Sequence, residues 1–359
     1  MTSPPLRRQS PLTSNSSPDP FLFEFSHEIG HFYLMHLLGI DIGGTKTAAC
    51  VGTNDGEVLA SQRISMSASD SIEDYCGRLE EACSLALSES GTNIESVQAI
   101  GISAPGPLDP RTGILISPPN NPGWHNVPIV TLVQKLFDKP VYLENDANAA
   151  ALAEYWFGDY HGTQNMAYLT FSTGMGAGII ANGRLIQGAN AMAGEIGHHT
   201  LDPNGPKCAC GRFGCMEAYV GGRTVTERIR ERVTTANIST SMLELAAGDP
   251  AKIDHRMFAQ ATRDGDAFAV AAWDEMIEHL AMGVGNLIMI LNPELILLGT
   301  IAVHEGDLVM KPLMEKIRKY TWSWSLDACR IAPSTLGPRL ANLAALAAAL
   351  TGCVQEGSF

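Results

Sequence analysis

Cys208, Cys210 and Cys215 stand within eight residues on a loop that also holds Gly211 and Gly214, and His198 lies upstream in Gly194-Glu195-Ile196-Gly197-His198. One imidazole and three thiols are the donor set that tetrahedral Zn²⁺ takes, borderline nitrogen with soft sulfur. The glycines let the loop turn tightly enough for several sulfurs to face one ion. With four positions filled by protein, such an ion is structural. Burial as free apolar thiols is the alternative, but C-x-C-x₄-C is dense for unselected packing. Glu195 and Glu217 flank the ligands, so a loop fixed by metal would also aim two carboxylates.

Two glycine-rich turns offer a second chemistry. Gly43-Gly44-Thr45-Lys46 follows the apolar run Leu37–Ile42, and Ser172-Thr173-Gly174-Met175-Gly176 follows Ala167–Phe171. A glycine-lined turn between strands presents backbone N–H groups to an anion with no Cβ in the way. One such turn is ordinary; two equivalent ones can grip a phosphate chain from both sides. Leu38–Lys46 comes close to a P-loop, but Thr precedes Lys and a strand follows where a P-loop has a helix. Lys46 either neutralises charge on the anion or is a solvated surface lysine.

The elements around the turns repeat. Strands are expected at 37–42, 47–52 and 57–64, joined by the Asn54-Asp55-Gly56 turn, then a helix at 71–90 and a strand at 97–103. The plan recurs with strands at 167–171, 177–181 and 184–187 about the Asn182-Gly183 turn, a helix at 267–290 and a buried strand at 295–298. Such self-similarity indicates one α/β unit present twice, as two lobes facing each other across a cleft. The expected division is a first lobe over 37–148, completed by a C-terminal helix within 336–355, and a second lobe over 149–335 with the zinc loop at 194–217.

Composition narrows the class. The chain has 359 residues, enough for two domains, and a net charge of −14 that disfavours a nucleic-acid surface. Of eight cysteines, five are scattered singly, which reads as a reducing, cytoplasmic compartment rather than a disulfide framework. Apolar runs fall short of a membrane span, so no membrane partner is expected. Residues 1–20 are rich in Ser, Pro and Asn, and residues 1–36 are expected to be a disordered leader, with Met35 a plausible start. Within it His27-Glu28-Ile29-Gly30-His31 matches the H-E-x-x-H metalloprotease pattern, but Gly30 interrupts the helix that the motif requires.

These motifs together resemble the ROK group (repressors, open reading frames, sugar kinases) of the actin-like ATPase superfamily. The resemblance covers residues 37–355. It rests on Asp41–Lys46, Ala104–Asp109, Glu144-Asn145-Asp146-Ala147-Asn148, Ser172–Gly178, Gly194–His198 and Cys208–Glu217. It implies an α/β, two-lobed, actin-like (ribonuclease H-like) fold with a central cleft, and phosphorylation of a hexose by ATP with Mg²⁺ beside the structural Zn²⁺. It makes Asp146 the general base, which agrees with the bare chemistry, since an attacking hydroxyl must lose its proton to a positioned carboxylate. An N-cap for a helix at 149–156 is the competing use of Asp146.

By the same resemblance Gly106, Asn120, Asn121, Asn145, Glu195, His198 and Glu217 hold the sugar, with His198 binding metal through one ring nitrogen and sugar through the other. Asp41 holds Mg²⁺. Gly43, Gly44, Thr45, Lys46, Thr173, Gly174 and Gly176 surround the phosphates, and Gly283 and Gly299 border the adenine. A homodimer is implied. Ser172 and Thr300-Ile301-Ala302 depart from the family's glycines. The cysteine loop favours glucose, with N-acetylglucosamine, N-acetylmannosamine and a non-catalytic sugar sensor as alternatives; the short leader has no room for a DNA-binding domain.

Overall fold

The computed structural model describes residues 34–66, 71–118 and 123–357. The leader and its His27–His31 motif lie outside these, as do Asn120 and Asn121. Two five-stranded sheets organise the rest. The first contains β1 (His36–Ile42), β2 (Lys46–Thr53), β3 (Val58–Ser65), β4 (Val97–Ala104) and, beyond the short hairpin β5 (Leu108–Asp109) and β6 (Ile114–Leu115), β7 (Val141–Asn145). The second contains β8 (Met166–Leu169), β9 (Ala177–Ala181), β10 (Arg184–Leu185), β11 (Leu295–Leu298) and β12 (Arg330–Pro333).

Their orders are β3-β2-β1-β4-β7 and β10-β9-β8-β11-β12. In each, the first three strands form an antiparallel meander and the last two join in parallel. One topology is thus built twice. Central β1 and β11 are almost wholly buried, whereas edge strand β3 alternates half-buried and exposed residues. Asn182 and Gly183 both have positive φ, 52° and 71°, the backbone that a tight hairpin turn needs.

Among the described residues there are twelve α-helices: α1 (Ile72–Ser90), α2 (Ile129–Phe137), α3 (Asp146–Phe157), α4 (Met216–Val220), α5 (Gly222–Thr235), α6 (Ser241–Leu245), α7 (His255–Arg263), α8 (Ala267–Leu291), α9 (Thr300–Glu305), α10 (Asp307–Lys316), α11 (Ser323–Asp327) and α12 (Leu340–Glu356). α1 starts where the Ser71 side chain accepts the Asp74 N–H and stops at left-handed Gly91. α3 begins three residues earlier than its apolar pattern implies, because the Asn145 side chain caps the Ala147 N–H. Asn145 is the cap, and Asp146 is the first helical residue.

α3 and α12 lie against each other between the sheets, α12 on β1 and β4, α3 on β8 and β9. Both are alanine-rich and buried along most of their circumference. Two glycines permit the approach: a Cβ on Gly101 of β4 would collide with the Ala345 carbonyl of α12, and one on Gly178 of β9 with α3 at Ala147 and Ala151. Apart from a small cluster of Cys208, Cys215 and Ala218, the core of the described residues has three parts, an outer layer under α1 and α2, an outer layer under the helices of the second lobe, and this inner layer joining both sheets. α12 is also apolar and long enough to cross a membrane, but most of it is taken up by this packing.

Candidate active site

The first turn is the β1–β2 connection. Gly43 donates its N–H to the Lys46 carbonyl at 2.9 Å, closing the hairpin, and a Cβ on Gly43 would press on that same carbonyl. Gly44, Thr45 and Lys46 are exposed. The second turn is the β8–β9 connection, closed by Thr170 N–H to the Gly176 carbonyl at 3.0 Å and by Gly176 N–H to Thr170 Oγ1 at 3.0 Å. Among the described residues, the N–H groups of Gly44 and Thr45 in one turn and of Thr173 and Gly174 in the other have no acceptor. Each turn thus holds two consecutive donors open, the arrangement that suits an anion.

Glu217, at the start of α4, braces the second turn: its Oε2 accepts the Met175 N–H at 3.0 Å and lies beside Gly174. Its Oε1 is not engaged by this contact.

Three carboxylates from three elements come near one another: Asp41 is the penultimate residue of β1, Asp146 opens α3, and Glu195 sits in the loop after β10. Asp146 accepts the Ala147 N–H at 2.8 Å. Its carboxyl is raised above the usual range, first because protein walls the cleft around it and then because the charge of Glu195 faces it, although the group remains open to solvent. Asp41 is pushed up to about 6, again by burial first, with the Ser103 hydroxyl opposing and the charge of Asp146 adding. Two carboxyls raised in this way, each with another carboxylate facing it, suit a cation or a proton transfer. Asn145 and Gly106 adjoin, with the Asn145 Nδ2 at 3.4 Å from where a Gly106 Cβ would be.

The metal-type residues also converge. Ligand atoms of His198, Cys208, Cys210 and Cys215 all lie within 4.8 Å of one another. His198 Nδ1 is 3.6 Å from Cys208 Sγ, and Cys210 Sγ is 3.6 Å from Cys215 Sγ. A tetrahedron with bonds of about 2.3 Å has edges of roughly 3.8 Å, so the set fits one ion. Hydrogen bonding from the Arg212 N–H holds the Cys210 thiol down to about 6, whereas burial pushes Cys208 and Cys215 up. The other ring nitrogen of His198, Nε2, points toward Glu195 at 4.0 Å.

Beside the second turn lies a cavity of about 780 Å³, lined by Ser172, Thr173, Arg223, His255, Arg256 and Thr300 among others. Gly299 is buried just before Thr300, where a Cβ would strike Tyr168. Gly283 does not border this cavity. It is buried in α8, where a Cβ would run into the Met216 side chain, so it serves helix packing instead. Sequence reasoning missed the cavity's basic wall, which Arg223, Arg230, Arg256 and Arg263 supply; their clustering between 223 and 263 was the signal for it.

The family model described as ROK family matches residues 37–350. The chain belongs to the ROK family. This ROK protein is 35% identical over 286 residues to a glucokinase of Thermotoga maritima, covering 80% of this chain and 88% of that one. It is 29% identical over 328 residues to a xylose repressor of Caldicellulosiruptor bescii, covering 91% of this chain and 80% of that one. The crystal structure of a ROK family glucokinase from Streptomyces griseus, in complex with glucose and AMPPNP, matches with a TM-score of 0.72 at 30% identity, covering 89% of this chain and all of that one. The ROK chain described here is a sugar kinase with the two-lobed actin-like fold of those relatives.

Proposed function

We propose that this ROK protein transfers the γ-phosphoryl group of ATP to the 6-hydroxyl of a hexose, glucose first among them, with Asp146 as general base. The observation that carries this is the pair of turns, each with two open N–H groups, flanking the Asp41–Asp146–Glu195 cluster. The turns at Gly43–Lys46 and Thr173–Gly176 hold the phosphates, with Lys46 near the first, and the cavity past Thr300 takes the nucleoside. Asn145, Gly106, Glu195, His198 and the second oxygen of Glu217 orient the sugar, so that its hydroxyl meets Asp146 and yields its proton there. The glucokinase names of its relatives support glucose. The cytoplasm, where ATP and reduced thiols coexist, is the location this reading implies, and a homodimer is the proposed assembly. A coupled assay over glucose, N-acetylglucosamine, N-acetylmannosamine, fructose and allose tests it. A clear preference other than glucose overturns the sugar assignment. Sugar binding without turnover on any of them would favour the sensor reading that the xylose repressor likeness supports.

Asp41 has the position and charge to hold Mg²⁺, which when bound neutralises the donor's β- and γ-phosphates. A carboxyl raised to about 6 in the folded protein is protonated below that pH, and a cation requires it ionised. The unliganded fold therefore loses stability as pH rises through about 6. Binding of Mg²⁺–ATP strengthens over the same interval and levels off above it. Calorimetric titrations from pH 5 to 8 on the native protein and on Asp41→Asn check this; equal pH slopes, once the nucleotide's own titration is common to both, exclude Asp41.

His198, Cys208, Cys210 and Cys215 hold a structural Zn²⁺ that fixes the loop carrying Glu195. Protein purified without chelator is expected to contain one zinc per chain. Cys210→Ser should release it and raise the sugar KM more than the ATP KM. Elemental analysis that finds no zinc in the native protein removes this part of the reading.

A further inference from the structure

Glu144 is a carboxylate in an expensive place. It is the penultimate residue of β7, at 6% exposure, and among the described residues it has no cationic partner. Burying an uncompensated carboxylate is costly unless hydrogen bonds replace its water. Three N–H donors do so. Oε1 accepts from the Asn145 backbone at 2.8 Å and from Asn148 Nδ2 at 2.9 Å, both on its own side of the cleft. Oε2 accepts from Gln187 Nε2 at 2.7 Å, which belongs to the chain leaving β10 in the other lobe. Burial raises the Glu144 carboxyl and these donors oppose it.

The Gln187 end continues into the sugar side of the site. Its carbonyl accepts the Ala193 N–H at 3.1 Å, which closes the loop 187–193, and the next residues are Gly194 and Glu195. The Gly194 carbonyl accepts the Ala177 N–H at 2.8 Å, fastening the loop's exit to β9. A second bond from the first lobe reaches the same loop: Arg111 Nη1 donates to the Ala189 carbonyl at 2.8 Å. One carboxylate therefore touches the residue beside Asp146 through one oxygen, and the loop that presents Glu195 and His198 through the other.

We propose that Glu144 is a positioning residue that couples the two halves of the site, its bond to Gln187 setting the separation between the Asn145–Asp146 corner of one lobe and the Glu195–His198 loop of the other. This rests on the kinase reading above. An ionised carboxylate has no proton to give, so the bond runs one way only, from the Gln187 amide to Glu144. That polarity makes it testable by exchange. Gln187→Glu sets two carboxylates against each other and breaks the tie. In the double variant Glu144→Gln/Gln187→Glu the amide at 144 keeps its oxygen for Asn145 and Asn148 and turns its N–H toward the carboxylate at 187, so the tie returns reversed.

Sugar and ATP kinetics and thermal melting are measured on both variants and on Gln187→Met, which removes the amide without adding charge. Gln187→Glu is expected to lower kcat/KM for the sugar by about tenfold or more, with the ATP KM changed less than about twofold, and Gln187→Met by less. The double variant is expected to regain kcat/KM to within about threefold of the native protein. A double variant no better than the single one overturns the proposal, as does a folded Gln187→Glu with native sugar kinetics. If Gln187→Glu fails to fold, Gln187→Met with native sugar kinetics overturns it equally. Failure of the general-base assignment is seen separately, in Asp146→Asn.

Discussion

Asp146→Asn is expected to keep the fold and the affinity for sugar while kcat falls by about 10²–10⁴-fold, the usual contribution of a general base. The structure removes the competing explanation for this residue. A helix cap at 146 would tolerate Asn, since Asn and Asp cap about equally well, but the cap of α3 is the side chain of Asn145. An amide oxygen at 146 can still accept the Ala147 N–H, so α3 has no reason to fray. What it cannot do is take a proton from a hydroxyl at neutral pH. Because the walls of the cleft and the charge of Glu195 raise the Asp146 carboxyl, the acid limb of the native rate profile should lie above the ordinary carboxylate range, with activity lost as pH falls through it. Turnover, sugar affinity and melting temperature on the same preparation decide the matter. Native turnover in Asp146→Asn would mean that another group accepts the proton.

Glu154→Ala is expected to cost about 3–5 kcal/mol of stability, among the larger effects of a single change. Glu154 is fully buried on α3. It accepts hydrogen bonds from the Ser334 hydroxyl, the Thr335 N–H at 2.9 Å and the Thr335 hydroxyl at 2.8 Å, with the Leu336 N–H at 3.4 Å. That segment leads from β12 into α12, so the carboxylate fastens one helix between the sheets to the entrance of the other. Alanine leaves those donors buried without an acceptor and opens a void beside them. Glu154→Gln keeps part of the set and should lose less. Urea unfolding followed by two probes gives the numbers; a loss below about 1 kcal/mol in Glu154→Ala would show that water takes over the acceptor role.

Local features were legible in the sequence where a short-range cause determines them. Asn182-Gly183 marks a hairpin because both residues must adopt positive φ, and they do. The two glycine turns, the run of β11 and the helix later seen as α8 follow from periodicity over a few residues. The cysteine loop and His198 converge because their spacing leaves little else for them to do. Features that depend on distant partners were not legible. Glu144 and Gln187 meet across 43 positions, Arg111 and Ala189 across 78, and nothing in either segment announces the other. Gly283 reads as a close-approach glycine, but only the fold shows that what approaches is Met216 rather than a ligand. The start of α3 was misplaced because Asn145 and Asp146 are both good caps, and the choice between them lies in the backbone where β7 ends.

The placement of α12 has a consequence for how the molecule is made. The inner face of the first sheet, with Leu37, Ala99 and Gly101, is covered by residues 340–356, the last helix among the described residues. When a ribosome has released the first 150 residues, all five strands of that sheet exist, yet one whole face of it is bare. The N-terminal half therefore cannot mature as a finished unit while the rest is translated, as an ordinary leading domain would. Its completion waits on a contact between position 101 and position 345, one of the longest separations in the chain, and folding that depends on such closure is slow. A product cut short before α12 leaves this apolar face uncovered in water, which marks it for chaperones and proteases as unfinished.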